Sequence, residues 1–239
     1  MAMAIKIEVD GKNYEVKKGK LLDVLIDLGF DIPHLCYHKA IGSYGACRLC
    51  LVEVKENGDG WRIVTSCSTD VKEGMKVRTK SQRIWELRKG VVELLANHTS
   101  SEIVKELASL YKIEVKGDKK CVLCGLCVNV CNLIGISAIS FENRGVERRV
   151  NAPFGIPTEF CVGCLACTNL CPTGAIRFEN GKLMVGDRVL SEHKLLRCVR
   201  CGKEVLTERH YEKLGVKDIL CENCKRLMQA EKYFNSKQL

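Results

Sequence analysis

Several small α+β modules, rather than one domain around a large core, are what this sequence predicts. Three observations carry that reading. Apolar residues alternate with polar ones over residues 4–16 and give way to a helical pattern. A four-cysteine spacing occurs twice between residues 121 and 171. And the chain has 16 cysteines but only 6% aromatic residues. Small domains with few large anchors usually need covalent or metal staples. A length of 239 residues accommodates about two to four of them.

The staples are expected to be metals. Met1-Ala2-Met3-Ala4 runs directly into a charged, alternating segment, with no secretory leader, and no apolar run approaches the ~20 residues of a membrane helix. A cytoplasmic chain is therefore expected, and there regularly spaced cysteines read as metal ligands rather than disulfides. The net charge of +9 is spread along the chain among Glu and Asp, without the basic run of a nucleic-acid arm. It reads as a solvated surface or as docking faces for acidic partners.

Ile5, Ile7 and Val9, then Asp10-Gly11, then Tyr14 and Val16 predict a β-hairpin. Leu21, Leu22, Val24, Leu25 and Leu28 predict a helix that Gly29 ends. Hairpin then helix is how a small β-grasp domain begins. Further strands are expected at Cys50–Val54, Trp61–Ser66 and Met75–Val77, with a turn at Gly58-Asp59-Gly60. Residues 82–97 predict an amphipathic helix with Ile84, Leu87, Val91, Leu94 and Leu95 on one side. Thr99-Ser100-Ser101-Glu102 predicts a capping box opening a second helix to about Leu110, and residues 116–120 read as a linker.

The repeat is the strongest chemical signal. Cys121-x2-Cys124-x2-Cys127-x3-Cys131 recurs as Cys161-x2-Cys164-x2-Cys167-x3-Cys171. A cubane [4Fe–4S] cluster needs four converging thiolates. Three come from one such loop, and in bacterial two-cluster ferredoxins the fourth comes from the other repeat. On that rule one cluster takes Cys121, Cys124, Cys127 and Cys171, and the other takes Cys161, Cys164, Cys167 and Cys131. Residues 118–180 resemble that two-cluster domain. Pro172 follows Cys171 as in its pattern, whereas Asn132 stands after Cys131.

A second set, Cys36-x10-Cys47-x2-Cys50-x16-Cys67, lies on the β-grasp pattern. Its spacing alone suits a [2Fe–2S] rhomb or a zinc ion. The surrounding stretches Pro33–His38, Gly45–Val54 and Thr65–Cys67 resemble one family. It comprises the N-terminal region of the large iron–sulfur subunit of NADH dehydrogenase and the diaphorase small subunit of NAD-linked hydrogenases. The resemblance covers about residues 4–180 and implies a [2Fe–2S] cluster on these four cysteines. It also implies a place between a flavin-bearing, NAD(P)H-oxidising subunit and a catalytic subunit. That catalytic subunit would be a hydrogenase, or a molybdenum or tungsten formate or aldehyde oxidoreductase. The family normally has another [4Fe–4S] site between the two modules, beginning at a His where His98 stands. The next cysteine is Cys121, already used, so that cluster is expected to be absent and His98 to be a helix-end residue facing the helix dipole.

The tail carries Cys198-x2-Cys201 and Cys221-x2-Cys224, two knuckles in the zinc-ribbon range. They predict a tetrahedral zinc site, with a third [4Fe–4S] cluster as the competing occupant, and His193 and His210 outside the ligand set. The expected organisation is a [2Fe–2S] β-grasp domain over 1–81, a helical linker over 82–117, a two-[4Fe–4S] ferredoxin-like domain over 118–180 and a zinc-ribbon-like module over 181–239. These assignments use all 16 cysteines and leave none as a nucleophile, and no Gly-x-Gly-x-x-Gly or Walker loop is visible. The chemistry left is one-electron transfer, suited to exchange with NAD(P)H, H2, formate or ferredoxin. The expected function is that of a non-catalytic electron-transfer subunit in a hetero-oligomer, with a free-standing polyferredoxin acting as mobile donor as the alternative.

Overall fold

The computed structural model describes residues 4–56, 58 and 60–235. The chain divides into two compact units. One comprises residues 1–129 with 170–175, and the other comprises residues 130–169 with 176–239.

In the first unit β1 (Ile5–Val9) and β2 (Lys12–Val16) form the predicted hairpin, with Ile5 opposite Val16. Asp10 and Gly11 both take positive φ, which makes the two-residue turn that matches strand twist. Helix α1 (Leu21–Asp27) buries Leu21, Leu22, Val24 and Leu25. A short ribbon, β3 (Tyr37–His38) with β4 (Gly42–Ser43), precedes β5 (Leu51–Lys55), β6 (Arg62–Thr65) and β7 (Lys76–Arg78). The five-stranded sheet runs β2-β1-β7-β5-β6, with β1 and β7 parallel and the other pairs antiparallel. This is the β-grasp arrangement expected for the N-terminal region. Val9, Val52, Val54 and Val77 join Leu21, Leu22 and Leu25 in its core. Cys50 precedes β5 and Cys67 sits in a 3-10 turn, so neither sulfur-bearing residue belongs to the sheet ladder. Of the expected turn at 58–60, Asp59 lies outside the described residues.

Helix α2 (Gln82–His98) begins at Ser81, whose hydroxyl accepts from the Ile84 amide at 3.2 Å. Its buried stripe is Ile84, Arg88, Val92 and Ala96, while Leu87 and Leu94 are exposed. The expected apolar side is thus displaced by about one position, because a charged residue, Arg88, takes a place on the inner face. Helix α3 (Glu102–Leu110) starts at Ser101 rather than Thr99, and no side chain caps it. The expected capping box does not form because Thr99 donates its hydroxyl to the Lys119 carbonyl at 2.6 Å instead. Residues 116–120 are pinned as well: the Lys116 and Gly117 amides both reach the Ala96 carbonyl, and the Ser100 amide donates to Lys119. The segment expected as a linker is therefore hydrogen-bonded to the end of α2, while its residues stay largely exposed. Val92, Ala96, Val104 and Ala108 pack with Leu35, Leu49 and Leu126.

Helix α4 (Leu126–Leu133) leads into the second unit. There β8 (Ser140–Glu142) pairs with β9 (Arg149–Asn151), and α5 (Ala166–Asn169) follows. Strands β10 (Ile176–Glu179), β11 (Lys182–Val185) and β12 (Arg188–Glu192) form an antiparallel meander that buries Leu183, Val185 and Leu190. The expected boundary between residues 180 and 181 falls inside this meander, at the Asn180-Gly181 hairpin turn, where both residues have positive φ. Strands β13 (Leu195–Arg197) and β14 (Glu204–Thr207), then α6 (Glu208–Leu214) and α7 (Glu222–Asn235), carry the two tail knuckles. Among the described residues no helix is long and apolar enough to cross a membrane.

Candidate metal centres

All 16 cysteines are free of disulfides. Cys36, Cys47, Cys50 and Cys67 are all buried. The Leu35 amide donates to Cys47 Sγ and the Cys47 amide donates to Cys36 Sγ, each at 3.4 Å. Hydrogen bonds among the four sulfurs dominate their ionisation. Cys47 holds Cys36 down to about 2, and Cys67 holds Cys50 down to about 6. The reciprocal contacts, reinforced by burial, push Cys47 and Cys67 well above an ordinary thiol. Four buried sulfurs in mutual hydrogen-bond contact, with Cys36 and Cys50 drawn toward thiolate, suit a positively charged metal core. The residues fit an iron–sulfur rhomb.

The eight cysteines of the repeat separate by unit in the crossed manner. Cys121, Cys124, Cys127 and Cys171 lie in the first unit; Cys131, Cys161, Cys164 and Cys167 lie in the second. In the first group the Leu123 amide donates to Cys121 Sγ at 3.4 Å. Burial pushes the Cys124 thiol up to about 12, with the neighbouring Cys171 and Cys121 adding to it. In the second group all four cysteines line one cavity, closed by Ile136, Ile139 and Leu183. The Ala138 amide donates to Cys131 Sγ at 3.2 Å. Burial pushes Cys167 up to about 12, and Cys161, Cys164 and Cys131 act in the same direction. An apolar cavity lined by four sulfurs fits a cubane cluster.

The two cysteine loops share one backbone course written with different residues. The second residue after the first cysteine has positive φ in both, Leu123 (54°) and Gly163 (71°). So does the residue after the second cysteine, Gly125 (79°) and Leu165 (62°). The glycine stands wherever a neighbour leaves no room. A Cβ on Gly125 would lie 2.8 Å from Tyr44 Cδ1, and one on Gly163 would lie 2.5 Å from Thr207 Cγ2 and 3.0 Å from His193 Nδ1. The leucines bear the left-handed strain at the two remaining positions.

Cys198, Cys201, Cys221 and Cys224 form the fourth group, with all four sulfurs within 4.8 Å of one another. Cys201 is exposed and the rest are buried. Cys198 is drawn down to about 6, chiefly by the Cys221 amide, and Cys221 is lowered by the Cys224 amide. Backbone N–H groups aimed at sulfur are what a metal knuckle provides. His193 and His210 do not join this group. The His193 ring packs on Phe178 with 5.9 Å between centroids, and the His210 amide donates to Thr207 Oγ1. His98 ends α2, where burial, then Lys119, lowers its affinity for protons.

The segment between the two tail knuckles also clasps the Cys161–Cys167 loop. Thr207 caps α6 and donates its hydroxyl to the Val162 carbonyl, and Arg209 donates to the Cys161 carbonyl at 3.4 Å. Thr207, Arg209, His193 and Tyr44 carry no motif of their own in the sequence. The only signal that could have found them is the glycine placement within the two cysteine loops.

Residues 2–82 match the family described as 2Fe-2S iron-sulfur cluster binding domain, and residues 120–175 match the 4Fe-4S dicluster domain. The chain carries two ferredoxin-type iron–sulfur domains. It is 32% identical over 206 residues to NADPH-Fe(3+) oxidoreductase subunit alpha of Geobacter sulfurreducens, a match covering 72% of this chain and 24% of that protein. It is 29% identical over 211 residues to NADP-reducing hydrogenase subunit HndD of Solidesulfovibrio fructosivorans, covering 72% and 36%. Over a shorter stretch of 96 residues it is 42% identical to one of the NADH-quinone oxidoreductase subunits of Escherichia coli, covering 38% and 11%. The chain therefore spans about a third or less of the length of these relatives. A crystal structure of NAD+-reducing [NiFe]-hydrogenase in the H2-reduced state superposes with a TM-score of 0.53 at 26% identity, covering 62% of this chain and 75% of that one. The relatives are thus subunits of NAD(P)-linked oxidoreductases and hydrogenases, as the sequence resemblance implies.

Proposed function

We propose that this chain relays single electrons between a flavin-bearing, NAD(P)H-oxidising subunit and a catalytic oxidoreductase subunit, and catalyses no bond chemistry itself. The catalytic partner would be a hydrogenase, or a molybdenum or tungsten formate or aldehyde oxidoreductase. Cys36, Cys47, Cys50 and Cys67 would hold a [2Fe–2S] cluster. Cys121, Cys124, Cys127 and Cys171 would hold one [4Fe–4S] cluster, and Cys161, Cys164, Cys167 and Cys131 the other. When bound, such clusters supply one-electron steps without proton or group transfer. The observation that carries the reading is the crossed separation of the repeat, which leaves each compact unit with four of the repeat's eight cysteines, three from one loop and the last from the other.

The chain's own groups bury the sulfurs, direct backbone N–H groups at them and fix the loops. Hydrogen bonds to thiolate stabilise its charge and tune potential. The tail group fits zinc better than a third cubane. Four sulfurs about 2.3 Å from one zinc stand about 3.8 Å apart, and these lie within 4.8 Å of one another. A cube needs a wider spread, because each thiolate bonds a different corner.

The test is isolation of the native particle that contains this chain, followed by reduction with NAD(P)H. Flavin and a Ni-, Mo- or W-bearing subunit in the particle, with bleaching of the iron–sulfur absorbance on adding NAD(P)H, is the expected result. A single iron-containing chain without flavin would make it a mobile polyferredoxin and overturn the subunit reading.

A further inference from the structure

Among the described residues, Arg88 is a buried cation that forms no salt bridge. It is 8% exposed, on the inner stripe of α2 between Ile84 and Val92. Nη2 donates to the Leu51 carbonyl at 2.7 Å, while Nε is buried and has no hydrogen-bond partner among the described residues. Arginine stays protonated in proteins, so the fold must meet its charge with something.

The surroundings narrow the choice. Asp31 lines the same cleft but makes no ion pair with Arg88 and is exposed. Tyr111 also lines it, and burial keeps its hydroxyl neutral. The one other negative group acting on Arg88 is Cys50, the residue before Leu51. The next two residues of the same stripe, Val92 and Ala96, pack in one core with Cys36 and Cys47. The stripe thus shares a core with Cys36 and Cys47, and the Leu51 carbonyl ties the guanidinium to the residue that follows Cys50.

We propose that the counter-charge of Arg88 is the [2Fe–2S] centre on Cys36, Cys47, Cys50 and Cys67, and that Arg88 is a positioning residue that raises the reduction potential of that centre. This rests on the cluster assignment given above. Four thiolates around a two-iron core carry net negative charge, and reduction adds one electron with no bond made or broken. A fixed buried cation favours the more negative, reduced state. The electron comes from the flavin-bearing partner in the complex, and from dithionite in the test.

The test uses the full chain, prepared anaerobically, in a dithionite titration followed by EPR. Arg88→Met should move the midpoint of the [2Fe–2S] signal to more negative potential. Arg88→Lys should keep most of the wild-type value, and the two cubane signals should stay where they are. A wild-type midpoint in a fully loaded Arg88→Met protein would overturn the proposal. Should Arg88→Met fail to take up the cluster, Arg88→Gln decides, since it keeps a donor for Leu51 but no charge. A negative shift supports the proposal, and an unshifted midpoint overturns it. Absence of any [2Fe–2S] signal from the wild-type chain would instead sink the underlying assignment.

Discussion

Thr207 closes over Gly163 so tightly that a Cβ on the glycine would stand 2.5 Å from the threonine Cγ2. The residue that caps α6 thus also fixes the backbone between two cysteines of the second group. Gly163→Ala adds a left-handed penalty of about 1–2 kcal/mol to this clash. Thr207 is buried and bonded to Val162, so it has little room to retreat. Iron analysis of Gly163→Ala should show a loss of about four atoms per chain, one cubane.

Crossed ligation has a distinctive mutational signature. Cys131→Ala should abolish the EPR signal of the cluster held by Cys161, Cys164 and Cys167. It should spare the cluster of its own repeat. Cys171→Ala should do the reverse. If each substitution instead removed the cluster of its own repeat, the ligand sets would be uncrossed.

Loss of the tail metal should act beyond the tail. Zinc binding supplies much of the folding free energy of such small modules, and here the module is continuous with the strand that ends at Thr207. Cys201→Ser removes the exposed ligand with little direct disturbance of packing. It should lower zinc to well below one atom per chain and speed the loss of the second cubane in air, both measurable by metal analysis and absorbance. A tail that loses zinc while the cubane decays at the wild-type rate would show the two to be independent.

Glu56 offers a pH test of the N-terminal fold. Its hydrogen bond from Lys72, then that from Arg62, holds its carboxyl below the usual range against an opposing effect of burial. A depressed folded value means the contribution is present above the unfolded value of about 4.3 and is lost as pH falls through the folded one. Glu56→Gln should therefore cost about 0.2–1 kcal/mol near pH 7. In denaturant titrations the difference from wild type should shrink and vanish as pH falls through the folded value. An equal difference above and below that value would place the effect in packing rather than charge.

Much of this arrangement was legible in the sequence, for identifiable reasons. Period-2 alternation around Asp10-Gly11 and the helix from Leu21 follow local rules, and both form where expected. The cysteine groups were legible because ligand spacing is a constraint on the chain itself. Arg88 was not, since a charged residue at an inner helix position contradicts the polarity pattern by which inner faces are recognised. Thr99 looked like a cap because cap and tertiary anchor use the same hydroxyl, and only the fold brings Lys119 to it. The pairing of Gly163 with Thr207 spans residues far apart in sequence, which no local pattern encodes.

The most direct test of the central claim is iron, acid-labile sulfide and zinc per chain in the anaerobically purified full-length protein. One [2Fe–2S] and two [4Fe–4S] clusters require about ten iron and about ten sulfide, and the tail group requires about one zinc. That composition, with all clusters reducible by dithionite, is what the account predicts. Zinc in place of iron at the N-terminal or repeat cysteines, or a chain that takes up no reducible cluster, would contradict it.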